Sequence, residues 1–189
     1  MRVLNKDEIF YRKDYFLSKI NEGAIFVHPT DTIYGLGCSA LNPEVISKLR
    51  ELKKRSKQPF SIIAPSKEWI MENCHVDENA RDWVEKLPGP YTLILELKNR
   101  DAVSSMVNSG EHTIGVRIPD HWLSSVVSEL GVPIITTSAN RVGETYMTSL
   151  DNLHESIQHN VDMVIYEGEK PGEPSRIVNL MHGREVIER

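Results

Sequence analysis

A chain of 189 residues, 40% hydrophobic and 26% charged, is sized and composed for one domain spanning 1–189 with a sizeable core. Its formal net charge of −5 excludes a global basic field that would draw nucleic acid and leaves room only for a local basic cleft and a transient tRNA contact. Two cysteines, Cys38 and Cys74, make neither a disulfide framework nor a C-x-x-C pair and read as free thiols of a reducing compartment; with no apolar leader and no membrane-length run, the expectation is a cytoplasmic protein.

The first helical pattern runs from about 6 to 21, with Ile9, Phe16, Leu17 and Ile20 as its apolar stripe and Gly23 just past its end. Residues 24–27 read as a strand. It delivers His28-Pro29-Thr30-Asp31-Thr32-Ile33-Tyr34-Gly35-Leu36-Gly37 to a sheet edge, where Gly35 and Gly37 allow a tight turn or close approach to a ligand. The glycine spacing is not a dinucleotide fingerprint, and no Gly-Lys-Ser/Thr follows to make a Walker loop. Asn42 and Pro43 start a helix with Val45, Ile46, Leu49 and Leu52 on one side. Lys53 and Arg55 are two apart, so on a helix they do not face each other. For them to share a ligand the helix must fray near Lys54, or the ligand must be long and anionic; Ser56-Lys57-Gln58-Pro59 fits such a break.

Residues 60–64 read as a strand and 66–71 as a short helix. Asp77 caps another helix, with Ala80, Val84 and Leu87 inward, stopped by Pro88-Gly89-Pro90. Strands follow at 91–97 and 113–119. Asp120 is the expected cap of a helix carrying Leu123, Val126, Val127 and Leu130, ended by Gly131. A strong strand at 132–137 runs into a second polar cluster, Thr137-Ser138-Ala139-Asn140. Beyond the 141–147 loop, Thr148 is the expected cap of a helix to about 158, with Asp151 at its third position. A strand at 162–166, a charged loop at 167–174 read as exposed and mobile, and strands at 176–180 and 186–187 complete the chain. Alternating strands and helices make the chain α/β, and short connections near Ile114 argue for some antiparallel pairs.

Three groups stand out as chemistry: Thr30, Asp31 and Thr32; Lys53, Arg55 and Lys57; and Ser138 and Asn140 with Arg117. Hydroxyls and an amide facing fixed cations make an anion site, suited to a polyphosphate or an amino-acid carboxylate. Each group alone also has an ordinary reading, as helix-end charges or turn formers. Seven scattered histidines form no H-E-x-x-H, so no protein-bound metal is expected; no G-x-S-x-G elbow points to covalent catalysis.

Taken together, six segments resemble the YrdC family. They are residues 29–37, Lys53-Lys54-Arg55 as its K-x-R, Pro88-Gly89-Pro90-Tyr91-Thr92, residues 113–119, Thr137-Ser138-Ala139-Asn140 and Pro174-Ser175-Arg176-Ile177-Val178. They occur in the family's order and cover nearly the whole chain. The resemblance implies a twisted open mixed α/β sheet with flanking helices around a concave basic cavity. It implies an L-threonylcarbamoyladenylate synthase using L-threonine, bicarbonate and ATP, with Mg2+ carried on the ATP phosphates, and releasing pyrophosphate. The threonylcarbamoyl group would pass to a separate transferase complex that modifies tRNA position 37. By the same resemblance, Lys53 and Arg55 are the catalytic pair at the ATP phosphates and the reacting carbamate. Thr32, Arg117 and Ser175 bind substrate, and Thr113, Ser138, Asn140 and Arg189 bind nucleotide. Where the family often carries a histidine in the threonine pocket, this chain has Ile62 and Ile63, and Arg176 replaces a threonine. The rival readings are a double-stranded RNA or tRNA binding module and a related carbamate-adenylating enzyme.

Overall fold

The structure, a computed structural model, describes residues 1–181 and the backbone of 185–187. β1 (Arg2–Leu4) leads into α1 (Lys6–Tyr11), where Asn5 accepts from the Glu8 N–H and the Glu8 carboxylate accepts from Asn5 N–H, both at 2.9 Å. The helix expected over 6–21 is two helices. Arg12 leaves helical geometry at φ −116°, ψ 34°, and α2 (Lys13–Asn21) follows. Neither Gly nor Pro marks the break, and Ile9, Phe16 and Ile20 are buried as the stripe requires.

β2 (Phe26–His28) and β3 (Gly35–Gly37) bracket the first polar loop. α3 (Pro43–Lys53) begins as expected, with the Asn42 side chain accepting from Glu44 and Val45 N–H. β4 (Ser61–Ile63), α4 (Lys67–Asn73), β5 (Cys74–His75) and α5 (Glu78–Glu85) follow; Ser66 caps α4 and Asp77 caps α5. Next come β6 (Tyr91–Leu97), β7 (Thr113–Arg117), α6 (Leu123–Leu130) and β8 (Ile134–Ser138). The last elements are α7 (Glu155–Asn160), β9 (Met163–Ile165), β10 (Arg176–Asn179) and β11 (Glu185–Ile187).

Two expected caps are not where the sequence put them. Asp120 does not cap α6. His121 Nδ1 accepts from Leu123 N–H at 3.2 Å, while the Asp120 N–H donates to Asp31 at 3.0 Å. The helix expected from Thr148 is a short 3-10 turn (Leu150–Asn152) and then α7, because Asn152 rather than Asp151 folds back onto the Thr148 and Ser149 N–H groups.

Among the described residues one sheet runs in the order β1-β9-β2-β3-β8-β4-β7-β6-β10-β11, with β5 paired to β6. It is mixed: β2–β9, β4–β7 and β6–β10 are parallel, and β2–β3, β3–β8, β4–β8 and β6–β7 antiparallel. One face buries Leu36, Ile62, Leu93, Val116 and Ile135 together with Val45, Ile46 and Leu49 of α3, Ile70 of α4, Val84 of α5 and Ile157 of α7. The other buries Phe26, Ile63, Ile134 and Met163 against Ile9, Phe16, Ile20, Leu123 and Val127 of α1, α2 and α6. Side chains alternate along a strand, so Gly35, Ser61, Thr136 and Ser138 share that second face. They lie in the stretch that α1, α2 and α6 leave uncovered.

Candidate active site

That uncovered stretch is a cavity of about 120 Å³, lined by Thr30, Tyr34, Ser61, Thr92, Arg117, Thr136, Thr137, Ser138, Tyr146 and Ser175 among others. Its wall is mostly hydroxyl, and among the described residues Arg117 is the only charged side chain in the lining. Arg117 ends β7 and is 5% exposed. Its guanidinium pairs with the Asp31 carboxylate at 2.5 Å and donates to Thr32 Oγ1 at 3.2 Å. The Asp31 side chain is held in turn by the Asp120 N–H. Thr30 Oγ1 donates to the Ile33 carbonyl, accepts from the Thr32 N–H and lies 2.9 Å from Thr32 Oγ1, so the 29–34 loop is a closed hydrogen-bonded turn.

The two glycines of β3 make room for a side chain of the protein itself. A Cβ at Gly35 would sit 2.8 Å from His28 Cε1; one at Gly37 would meet the Ile135 carbonyl at 2.8 Å and His28 Cδ2 at 3.0 Å. The His28 ring is fully buried across this pair, and burial pushes its pKa down to about 3, so it is neutral at physiological pH.

At the other end of the same strands, α3 ends at Lys53 and Lys54 adopts the left-handed conformation (φ 54°, ψ 41°). This is the fray that convergence of Lys53 and Arg55 demands. Arg50 holds the turn that follows, donating to the Arg55 and Gln58 carbonyls at 3.2 and 3.1 Å. Lys53 is 1% exposed, and its ammonium donates to the Ser138 and Asn140 carbonyls at 2.5 and 2.8 Å and to Asn140 Oδ1 at 3.1 Å. Burial, aided by the Arg55 charge, pushes the Lys53 pKa down to about 7. Arg55 donates to Thr137 Oγ1 at 3.3 Å and to the Pro59 carbonyl at 2.6 Å. Ser138 Oγ donates to Asn140 Oδ1 at 2.7 Å, and the Asn140 amide donates to the Glu144 carbonyl.

The 167–174 loop, read from sequence as exposed and mobile, is exposed at Glu167, Glu169, Pro171 and Glu173 but tied to the rest of the chain. The Tyr34 hydroxyl donates to the Gly168 carbonyl at 2.6 Å, Lys170 N–H to the Thr148 carbonyl at 2.8 Å, and the Tyr146 hydroxyl to the Gly172 carbonyl at 3.1 Å. Gly172 is glycine because a Cβ there would fall on the Thr32 carbonyl. The segment ends on Ser175, whose Oγ lies 2.7 Å from Thr92 Oγ1.

Of the residues singled out in the sequence, Thr30, Arg117, Ser138 and Ser175 line the cavity, together with Thr137 of the second polar cluster. Thr32 sits behind Arg117, and Lys53, Arg55 and Asn140 cluster around the Ser138 turn. Thr113 starts β7, two residues before Gly115 on the same sheet face. Lys57 is exposed, and Arg189 lies outside the described residues. Ser61, Thr92, Thr136, Tyr34 and Tyr146 were missed. Ser61 and Thr92 had a signal, each a single hydroxyl residue in an otherwise largely apolar strand, and Thr136 opens the hydroxyl run that continues through Thr137 and Ser138. Among the described residues no group of three or more His, Cys, Asp or Glu could hold a metal ion.

The family model described as Telomere recombination, Sua5_yciO_yrdC, matches residues 18–189. The chain is 31% identical over 169 residues to a Vibrio campbellii protein named threonylcarbamoyl-AMP synthase, covering 85% of this chain and 90% of that protein. A Methanocaldococcus jannaschii protein provisionally given the same name is 34% identical over 181 residues, covering 94% of this chain and 84% of that one. The crystal structure of P. abyssi Sua5 complexed with L-threonine superposes with a TM-score of 0.86 at 27% identity; the match covers 98% of this chain but only 56% of that one. E. coli YciO shares the fold at a TM-score of 0.83 and 21% identity, over 100% of this chain and 96% of that one.

Proposed function

The chain belongs to the Sua5/YciO/YrdC family, and from that premise we propose that it makes threonylcarbamoyl-AMP and pyrophosphate from L-threonine, bicarbonate and ATP. One observation carries the reading: a hydroxyl-lined strip of open sheet with a buried guanidinium at one end and the Lys53–Arg55 cluster at the other. The strip is about 13 Å long along β7, taking a rise of ~3.3 Å per residue from Thr113 to Arg117. An amino acid at the Arg117 end and a nucleotide at the Ser138 end would meet between them.

In this reading Arg117, oriented by Asp31 and Thr32, takes the threonine carboxylate. Ser175, Thr92 and Ser61 offer hydroxyls to the amino acid. The amine and bicarbonate give the carbamate with loss of water. A carbamate oxygen then attacks the α-phosphorus of ATP, a new P–O bond forms, and the bond to the departing pyrophosphate breaks. No nucleophilic side chain is needed; positioning and neutralisation of developing charge do the work. Arg55 faces the phosphates from the rim. Lys53 acts through the Ser138–Asn140 turn that it holds, placing Ser138 Oγ and the Asn140 amide for the nucleotide, with Thr113 and Arg189 as further nucleotide contacts. Mg2+ arriving on ATP would offset part of the phosphate charge as part of the substrate. The product would pass to a separate transferase for tRNA position 37.

Calorimetric titration with L-threonine tests the Arg117 end. Wild type is expected to bind, and Arg117→Gln to bind about 10- to 100-fold more weakly, the loss of one charge-assisted pair. Equal affinities would place the carboxylate elsewhere.

A further inference from the structure

Glu167 lies outside the cavity, in the segment between β9 and β10, yet its carboxylate is the most heavily clasped in the described chain. His121 Nε2 and Lys170 Nζ lie 2.9 and 2.7 Å from one oxygen, and Trp122 Nε1 donates to the other at 2.9 Å. Its backbone N–H donates to the Tyr34 hydroxyl at 3.1 Å, the same hydroxyl that donates to Gly168. From this knot the strap of residues 166–175 crosses to Thr148, Tyr146 and Thr32 and ends on Pro174 and Ser175 in the cavity wall. Past Tyr166, whose N–H donates to the Leu4 carbonyl of β1, and up to Arg176 it joins no strand ladder, so these side-chain ties and the Lys170–Thr148 backbone bond are what hold it.

The cavity beneath it, at about 120 Å³, is well below the ~300 Å³ of sites that enclose whole organic ligands. It admits a small polar group. A nucleotide extends beyond a cavity of this size, and the strap, like the 29–34 loop and Tyr146, is a part of the wall outside the strand ladders. His121 and Trp122 adjoin Asp120, whose N–H holds Asp31 and through it Arg117. The latch and the carboxylate-binding guanidinium therefore share one wall, residues 117–122.

We propose that Glu167 is a positioning residue: by clasping His121, Trp122 and Lys170 it latches the strap over the cavity and sets Ser175 against Thr92. The proposal rests on the reading of the cavity as the amino-acid site. Its first test needs no substrate. Amide hydrogen exchange on the full chain is expected to speed up at Glu167 and Lys170 by about tenfold or more in Glu167→Ala, while the Ile135 amide, donated to the Cys38 carbonyl within the sheet, keeps its rate. Unchanged rates at both strap amides would overturn the latch. In the pyrophosphate-release assay the same variant is expected to raise KM for the amino acid about tenfold with kcat within about twofold, and Glu167→Gln, which retains an acceptor for Trp122, to fall between it and wild type. An unchanged KM would overturn the positioning role even if the strap loosened. Were wild type to release no pyrophosphate, the exchange result would still decide the latch, so the two readings fail separately.

Discussion

At the scale of single residues, the site is built by burying groups that would rather stay in water. His28 occupies the space left by the missing side chains of Gly35 and Gly37, and it does so as a neutral ring. Its folded pKa of about 3 lies below its ordinary value of 6.5. The unfolded chain therefore binds more protons between those values, and the contribution of His28 to stability is lost as pH falls through that window. Urea unfolding at several pH values between 4 and 7, on wild type and His28→Met, checks this. Wild type is expected to lose stability more steeply on acidification than the variant, although the variant starts lower at neutral pH. Parallel curves would show that His28 does not titrate on unfolding. The same residues show where sequence reading stops. Two glycines in a polar stretch suggest room for a ligand, whereas the room is taken by a histidine seven residues upstream of Gly35 that only the β2–β3 register brings alongside.

At the scale of elements, the decisive feature is how α3 ends. Residues two apart on a helix diverge; the left-handed turn at Lys54 swings Arg55 back toward β8 while Lys53 stays buried against it. A lysine in that conformation carries strain that glycine does not. Lys54→Gly is expected to raise unfolding stability by about 0.5–1 kcal/mol, measured by urea denaturation, and to leave pyrophosphate release intact. A loss of stability would mean that the Lys54 side chain contributes packing that outweighs the strain. Ser56-Lys57-Gln58-Pro59 announced this break in the sequence. Its geometry was not legible, because Arg50, which pins the turn, reads on a helical wheel as one more charged residue. The start of α6 escaped for a related reason: Asp120 is tied through its backbone N–H to Asp31, far away in sequence, and His121 accepts the Leu123 N–H instead. Nothing in the structure explains the split of the first helix at Arg12.

At the scale of the whole molecule, the order of strands explains why residues far apart in sequence make one site. β3, β8, β4, β7 and β6 are sheet neighbours although 49 residues or more lie between the partners in three of these four pairings, so Gly35, Ser138, Ser61, Arg117 and Thr92 fall on one uncovered face. Alternating strand and helix patterns made the α/β class legible, and the six motifs in order made the family legible. Which face they share, and the hydroxyls interleaved in the apolar strands, required the register. The tethered 166–175 strap was not legible either, since its glycines, prolines and charges have the composition of a loose loop while its partners lie at Tyr34, His121, Trp122 and Thr148. The central claim is chemical, and pyrophosphate release from ATP tests it most directly, with bicarbonate present and each amino acid added singly, beside Lys53→Ala and Arg55→Ala. The account predicts release that needs both L-threonine and bicarbonate and falls about 100-fold or more in either variant. Release from folded wild-type protein that ignores threonine or bicarbonate, or no release at all, would contradict it.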